Sequence, residues 1–302
     1  PMPRMPDLAL TAVPGRRRTT LDLAKEVERR GFGGVYCPSF GDGLGLCEAV
    51  ALETTTLRMG TSIANIYLRH SFDYAQTAAF IHEVSDGRFT FGIGVSHGPT
   101  HAQYGTTVGR PLTDIRRFVE QYRAAEQQFG ALPPVVLATL RDKMVTLSSE
   151  IAQGAVWANA ARSRMGHSLS LLTPEQRAST FYIGNMIPTC IDDDKEAAAN
   201  VLRRTLAGYV TLPNYNNYWS DAGYAEEMAA IRAAIEIGER DRIPGLITDR
   251  WLSDVTLHGS AKEVREGVEA WYDAGVTSLI LVPSSTRGGQ LKAFDELFAT
   301  FS

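Results

Sequence analysis

Two short loops carry the side chains best suited to chemistry. Ser62 to Tyr67 and Gly94 to Gly98 each follow an apolar segment and are built largely of small or polar residues. His97, in the second loop, titrates near neutral pH and is the first choice for moving a proton. The same residue could simply hydrogen-bond a phosphate or a loop carbonyl, and its position leaves both roles open. His101 and Tyr104 lie further along and could cover a substrate or stay exposed. Cys37, Cys47 and Cys190 form no CxxC pair and read as free thiols. No HExxH or GxSxG elbow occurs and the histidines are scattered, so neither a metal nor that hydrolase chemistry is expected. The run Gly92-Ile-Gly94-Val-Ser-His-Gly98 misses GxGxxG by one place and is no dinucleotide fingerprint. It suits a strand end where a planar ligand comes close to the backbone.

The two loops must be brought together by what separates them. A helix of about four turns, with Ser71 as its cap and Asp86-Gly87 as its stop, fits between two strands. A crossover of this length joins parallel strands, and ligands of such sheets collect at the strands' carboxyl ends. The same helix-glycine-strand joint recurs at Gly31, Gly87, Gly154 and Gly275. Strands are expected at Leu8–Val13, Gly34–Cys37, Met59–Ile66, Phe89–Val95, Val135–Thr139, Ala155–Asn159, Phe181–Ile187 and Thr277–Val282. This rhythm over 302 residues predicts an α/β fold, a (β/α)8 TIM barrel, with an open doubly wound sheet as the alternative.

Composition sets the remaining limits. With 44% hydrophobic residues and no linker, residues 1–302 are expected to form a single domain. Residues 188–258 exceed one barrel connection and read as a helical insertion. There Asp192-Asp193-Asp194 precede a Lys195–Tyr209 helix, and Tyr215, Tyr218, Trp219 and Tyr224 suit a lid or a subunit interface. A net charge of −4 gives no reason to expect nucleic acid. The absence of a signal peptide or long apolar run predicts a cytoplasmic protein without a membrane partner.

The run GTSIANIYLRHSFDYAQTAAFIHEVSDGRFTFGIGVSHG resembles the signature region of the bacterial luciferase-like family. The segments VVLATLRDKMVTLSSEIAQGAVWANA and LHGSAKEVREGVEAWYDAGVTSLILVP resemble its middle and closing units. The likeness spans nearly the whole chain and is strongest to the branch using coenzyme F420, an 8-hydroxy-5-deazaflavin. It implies an oxidoreductase that transfers a hydride between the deazaflavin and a small organic substrate, with homodimerisation common in the family. A monooxygenase using reduced FMN and a flavin-binding paralogue without turnover are the alternatives.

By position, the resemblance implies a cis peptide at Ser62-Ile63, with Ala64 and Asn65 lining the ring. Val95, Ser96 and His97 correspond to positions beside the reactive face. Ala138, Thr139 and Leu140 match a segment near the ribityl phosphate, and Ala158 and Asn159 lie at the next strand end. Arg162 and Arg164 follow as candidate anion contacts, supported by phosphate sites of related barrels. Arg16-Arg17-Arg18, expected ahead of a helix capped by Thr19 or Thr20, could meet the coenzyme's anionic tail or water. The sequence departs from the family at Tyr36-Cys37-Pro38-Ser39-Phe40, where an acid-base pair is common, at Arg69-His70-Ser71, which lacks the usual proline, and at Thr139-Leu140-Arg141, where small residues are usual.

Overall fold

The structure is a computed structural model describing residues 4–39 and 41–301. It divides into two compact units: Met5–Val156 with Leu171–Gly184, and Arg4 with Trp157–Ser170 and residues 185–301. The strands are β1 (Asp7–Ala9), β2 (Gly34–Cys37), β3 (Arg58–Thr61), β4 (Ala64–Asn65), β5 (Phe89–Gly94), β6 (Val135–Ala138), β7 (Gly154–Ala158), β8 (Tyr182–Ile191), β9 (Leu257–Gly259) and β10 (Ser278–Ser284). Counting β3 and β4 as one broken stave, with β9 as a short addition, the succession of strands and helices is that of a (β/α)8 TIM barrel.

In the first unit the strands pair parallel and in chain order, with Val35 opposite Met59, Met59 opposite Phe89, and Phe91 opposite Val135. β4 pairs with β5, Asn65 opposite Gly94. Alternation along β5 divides its side chains between two faces. Phe89 and Phe91 are fully buried, and Phe91 packs on Tyr74 and Tyr122 of the flanking helices at 5.5 and 5.2 Å between ring centres. The alternate positions 92 and 94 are glycines. A Cβ on Gly92 would sit 1.9 Å from the Thr61 carbonyl oxygen, and one on Gly94 would press on Ala138 and Ile63. The absent side chains let β3 and β5 meet, and the Thr61 hydroxyl donates to the Gly92 carbonyl at 2.7 Å.

At the other end of β5, Arg88 donates five hydrogen bonds. They go to the Thr54 hydroxyl and to the carbonyls of Ala51, Thr54, Leu57 and Ser85, all at 2.8–3.0 Å. This one guanidinium ties the end of helix Gly43–Glu53 to the starts of β3 and β5.

In the second unit β8 pairs parallel with β9, Thr189 opposite Leu257. Helix Lys195–Tyr209 starts at Asp194, whose carboxylate accepts from the Ala197 amide at 3.0 Å, as the acidic run predicts. The aromatic segment 213–224 is helical, and the unit buries its large rings: Tyr215, Tyr218, Trp219 and Tyr224 are each at most 4% exposed. The expected lid or interface is therefore corrected, because these rings face the unit's own core. Tyr218 accepts from the Ala161 amide, Trp219 donates to the Asn159 carbonyl, and Tyr224 donates to Asp254.

Other local expectations also change. The long crossover helix spans Ser71–Val84, and its cap is His70, whose Nδ1 accepts from the Phe72 amide at 3.2 Å. Ser71 instead donates to Gln121 at 3.0 Å. The first helix begins at Arg17, so Arg16 holds the cap position without a capping side chain and Thr20 lies inside the helix. β8 runs on to Ile191, and β9 was not foreseen because three residues are too few to show a period. Among the described residues, no helix is long and apolar enough to cross a membrane.

The Gly92 contact is testable. Gly92→Ala is expected to lower the unfolding free energy in urea by about 2–3 kcal/mol, since backbone must move to admit the methyl group. Gly98→Ala, where nothing lies within 4 Å, is expected to stay within about 0.5 kcal/mol.

Candidate active site

A cavity of about 290 Å³ opens at the carboxyl ends of β2, β3, β4 and β5, wholly within the first unit. That is near the small end of ligand pockets, roughly 300–1,000 Å³, and suits a ring system rather than a whole coenzyme. Its floor is the broken stave, where Thr61, Ile63, Ala64 and Asn65 line the wall. The Ser62-Ile63 peptide is cis, as the family resemblance implies. Ser62 is buried and its amide donates to the Cys37 carbonyl at 2.8 Å. Ile63 reaches across the bare backbone of Gly92 and Gly94.

Asn65 is buried and held through both its side chain and its backbone. Its Oδ1 accepts from the Tyr67 amide at 3.0 Å, its carbonyl accepts from Tyr74 at 2.7 Å, and its residue is 3% exposed. The Nδ2 donor of the same side chain has no protein partner. Buried donors are nearly always paired, so an orphan on a cavity wall calls for a ligand acceptor or a water. Thr139 repeats the pattern two strands along: its amide donates to the Val156 carbonyl at 2.8 Å, while its buried hydroxyl is unpartnered.

The loop after β5 forms another side. Ser96 lines the cavity and has φ +56°, a left-handed conformation that costs a non-glycine residue about 1 kcal/mol or more. Val95, half-buried, connects it to the strand. His97 is the cap residue of helix Gly98–Tyr104 but does not line the cavity. Burial, then the nearby His101, hold its imidazole below the ordinary value, so it is neutral at pH 7.

The structure thus gathers Ile63, Ala64, Asn65 and Ser96 on one cavity, with Ser62 and Val95 behind them. Ala138, the last residue of β6, and Thr139 and Leu140 after it stand outside the lining, Ala138 against Gly94. Ala158, Asn159 and Arg162 belong to the second unit. There Asn159 has φ +56°, accepts from Trp219 at 3.1 Å through its carbonyl, and carries an unpartnered buried Nδ2. Sequence reasoning passed over Asp42 and Tyr74 on the cavity wall and noted Arg69 only as part of an altered turn. Asp42 did carry a signal, an acidic residue just ahead of the apolar run that starts the second helix.

A family model described as luciferase-like monooxygenase matches residues 6–278. The chain belongs to this family. A protein of Mycobacterium tuberculosis named as a coenzyme F420-dependent oxidoreductase is 23% identical, over 78% of this chain and 81% of its own. Among solved structures, the coenzyme F420-dependent tetrahydromethanopterin reductase of Methanopyrus kandleri superposes with a TM-score of 0.78 at 17% identity, covering 99% of this chain and 98% of that one. The oxygenating component of 3,6-diketocamphane monooxygenase from Pseudomonas putida, in complex with FMN, gives 0.62 at 15% identity, covering 99% and 96%. These likenesses agree with the barrel described above.

The lowered pKa of His97 has a sign that can be checked. The unfolded chain takes up this proton near pH 6.5 and the folded chain only at lower pH, so stability is full above pH 6.5 and falls as the solution is acidified toward the folded value. Unfolding measured between pH 7 and pH 5 is expected to show a shallower loss in His97→Gln. His258, shifted the same way by burial, accounts for part of what remains.

Proposed function

We propose that this chain is a coenzyme F420-dependent oxidoreductase that moves a hydride between the deazaflavin and an organic substrate. Membership of the luciferase-like family supports the enzyme class. The observation that carries the finer reading is the cavity wall at β3 and β4: Ile63 lying across the glycine backbone of β5, Ala64 next to it, and the orphan donor of Asn65 beside them. Such a surface accepts a flat ring and offers a donor to its polar edge.

When bound, the coenzyme supplies the hydride-carrying ring, and the protein supplies position and a dry surround. Ile63 and Ala64 would back the ring, and Asn65 Nδ2 would donate to an acceptor on its edge. Val95 and Ser96 would stand beside the reactive face. Neutral His97 would accept or relay a proton at an imidazole nitrogen rather than act as a cation. Ala138, Thr139 and Leu140 would take the ribityl side, with Ala158, Asn159 and Arg162 as further contacts. A second reading, an FMN-dependent monooxygenase, is favoured by the family description and by the FMN-bound structural relative.

Fluorescence titration with coenzyme F420 and with FMN separates the two readings, and tighter binding of FMN would reverse their order. Asn65→Ala is expected to weaken binding of the preferred cofactor by about tenfold, the worth of one buried hydrogen bond. His97→Ala is expected to slow turnover on an alcohol, aldehyde and enone panel while leaving cofactor binding intact.

A further inference from the structure

Arg69 stands apart from the other charged groups of the first unit. It lines the cavity and its side chain is 37% exposed. The guanidinium lies over the Tyr74 ring, 5.8 Å from its centre, which restrains its plane. Its ionic partners are Asp42 at 3.6 Å and Asp73 at 3.9 Å, both beyond hydrogen-bond length. Among the described residues, therefore, none of its N–H groups has a protein acceptor at hydrogen-bonding distance.

Asp42 does not bind it firmly. That carboxylate is the cap of helix Gly43–Glu53, accepting from the Gly45 amide at 3.0 Å, and the side chain is 64% exposed. Ion pairs of this length between exposed groups contribute little. Arg88 of the same unit, by contrast, makes five hydrogen bonds. A planar group with five donors, braced on an aromatic ring and facing a cavity, matches the two oxygens of a carboxylate. The remaining wall is mixed, with Pro38, Leu44 and Leu68 on the apolar side and the hydroxyls of Ser39 and Thr100 on the polar side.

We propose that Arg69 is the carboxylate anchor of the substrate site, and that the substrate is a small organic acid with an apolar body. This rests on reading the cavity as the place where substrate meets coenzyme. The coenzyme's glutamate tail offers the same two-oxygen chemistry, so the test must separate the two sources.

Benzoate is the probe, titrated by calorimetry into the full chain with and without saturating coenzyme F420. Benzoate is expected to bind in both cases. Arg69→Gln is expected to weaken it by about tenfold or more, and Arg69→Lys by less, since a point charge replaces the fork. Asp42→Asn is expected to tighten it about threefold by removing a competing anion, while Asn still caps the helix. No benzoate binding to the natural chain at about 10 mM, or equal binding to an Arg69→Gln chain with unchanged melting temperature, overturns the anchor. Displacement of benzoate by the coenzyme assigns the site to the coenzyme and overturns the substrate. If Arg69→Gln does not fold, Asp42→Asn decides: tighter binding supports the proposal, and unchanged or weaker binding overturns it. Failure of the natural chain to bind the coenzyme at all would sink the deazaflavin reading alone, because the benzoate titration without coenzyme is read separately.

Discussion

The mouth of the first unit depends on a close approach of two neighbouring strands. At Gly92 the volume a Cβ would fill is taken by the Thr61 carbonyl, 1.9 Å from where that carbon would be. The Thr61 hydroxyl then reaches the Gly92 carbonyl, and β3 gives way to β4 through Ser62 and Ile63. Because Gly94 is bare as well, Ile63 can lie across the strand instead of being pushed away. Any larger residue at position 92 would force β3 and β5 apart, and the cavity floor would go with them.

The two ends of that sheet are treated in opposite ways. At the amino-terminal end, Arg88 satisfies acceptors on four residues, and Glu28 takes the amides of Thr55, Thr56 and Leu57 at 2.6–2.9 Å. At the carboxyl end, donors are left over on Asn65 and Thr139, and Arg69 keeps only long ionic contacts. In barrel enzymes the first end serves stability and the second serves chemistry. An unpaired buried donor costs free energy, so the Asn65 amide on the cavity wall is the physical mark of a ligand site.

The second unit solves a different problem. Its long insertion carries many aromatic residues, which the chain packs into its own interior rather than presenting outward. Trp219 and Trp251 meet at 4.9 Å between ring centres, and Tyr215 and Tyr224 flank them. Each polar tip of Tyr218, Trp219 and Tyr224 finds a partner, which is what allows such large amphipathic side chains to be buried. The Asp254 carboxylate collects three donors, from the Tyr224 hydroxyl and from the amide and hydroxyl of Ser163.

Local chemistry in the sequence was enough to place the barrel staves but not β9 or the break between β3 and β4, because glycine-ended helices and β-branched runs alternate with the period of an αβ repeat. It also marked the bare glycines and the two loops that form the cavity, since small residues at strand ends are visible without coordinates. It misjudged the tyrosines and tryptophans of residues 213–224, because aromatic residues in a short, irregular helix show no period that separates core from surface. Nor could it pair Asp42 with Arg69, as these residues lie on different connections of the sheet. Which donor stays unpaired is likewise beyond a linear reading: Asn65 and Asn200 are the same residue type, and only packing decides that the first is buried against a cavity while the second meets Arg203 at the surface. The periodic backbone is a local property of the chain; the vacancy it encloses exists only once distant strands have come together.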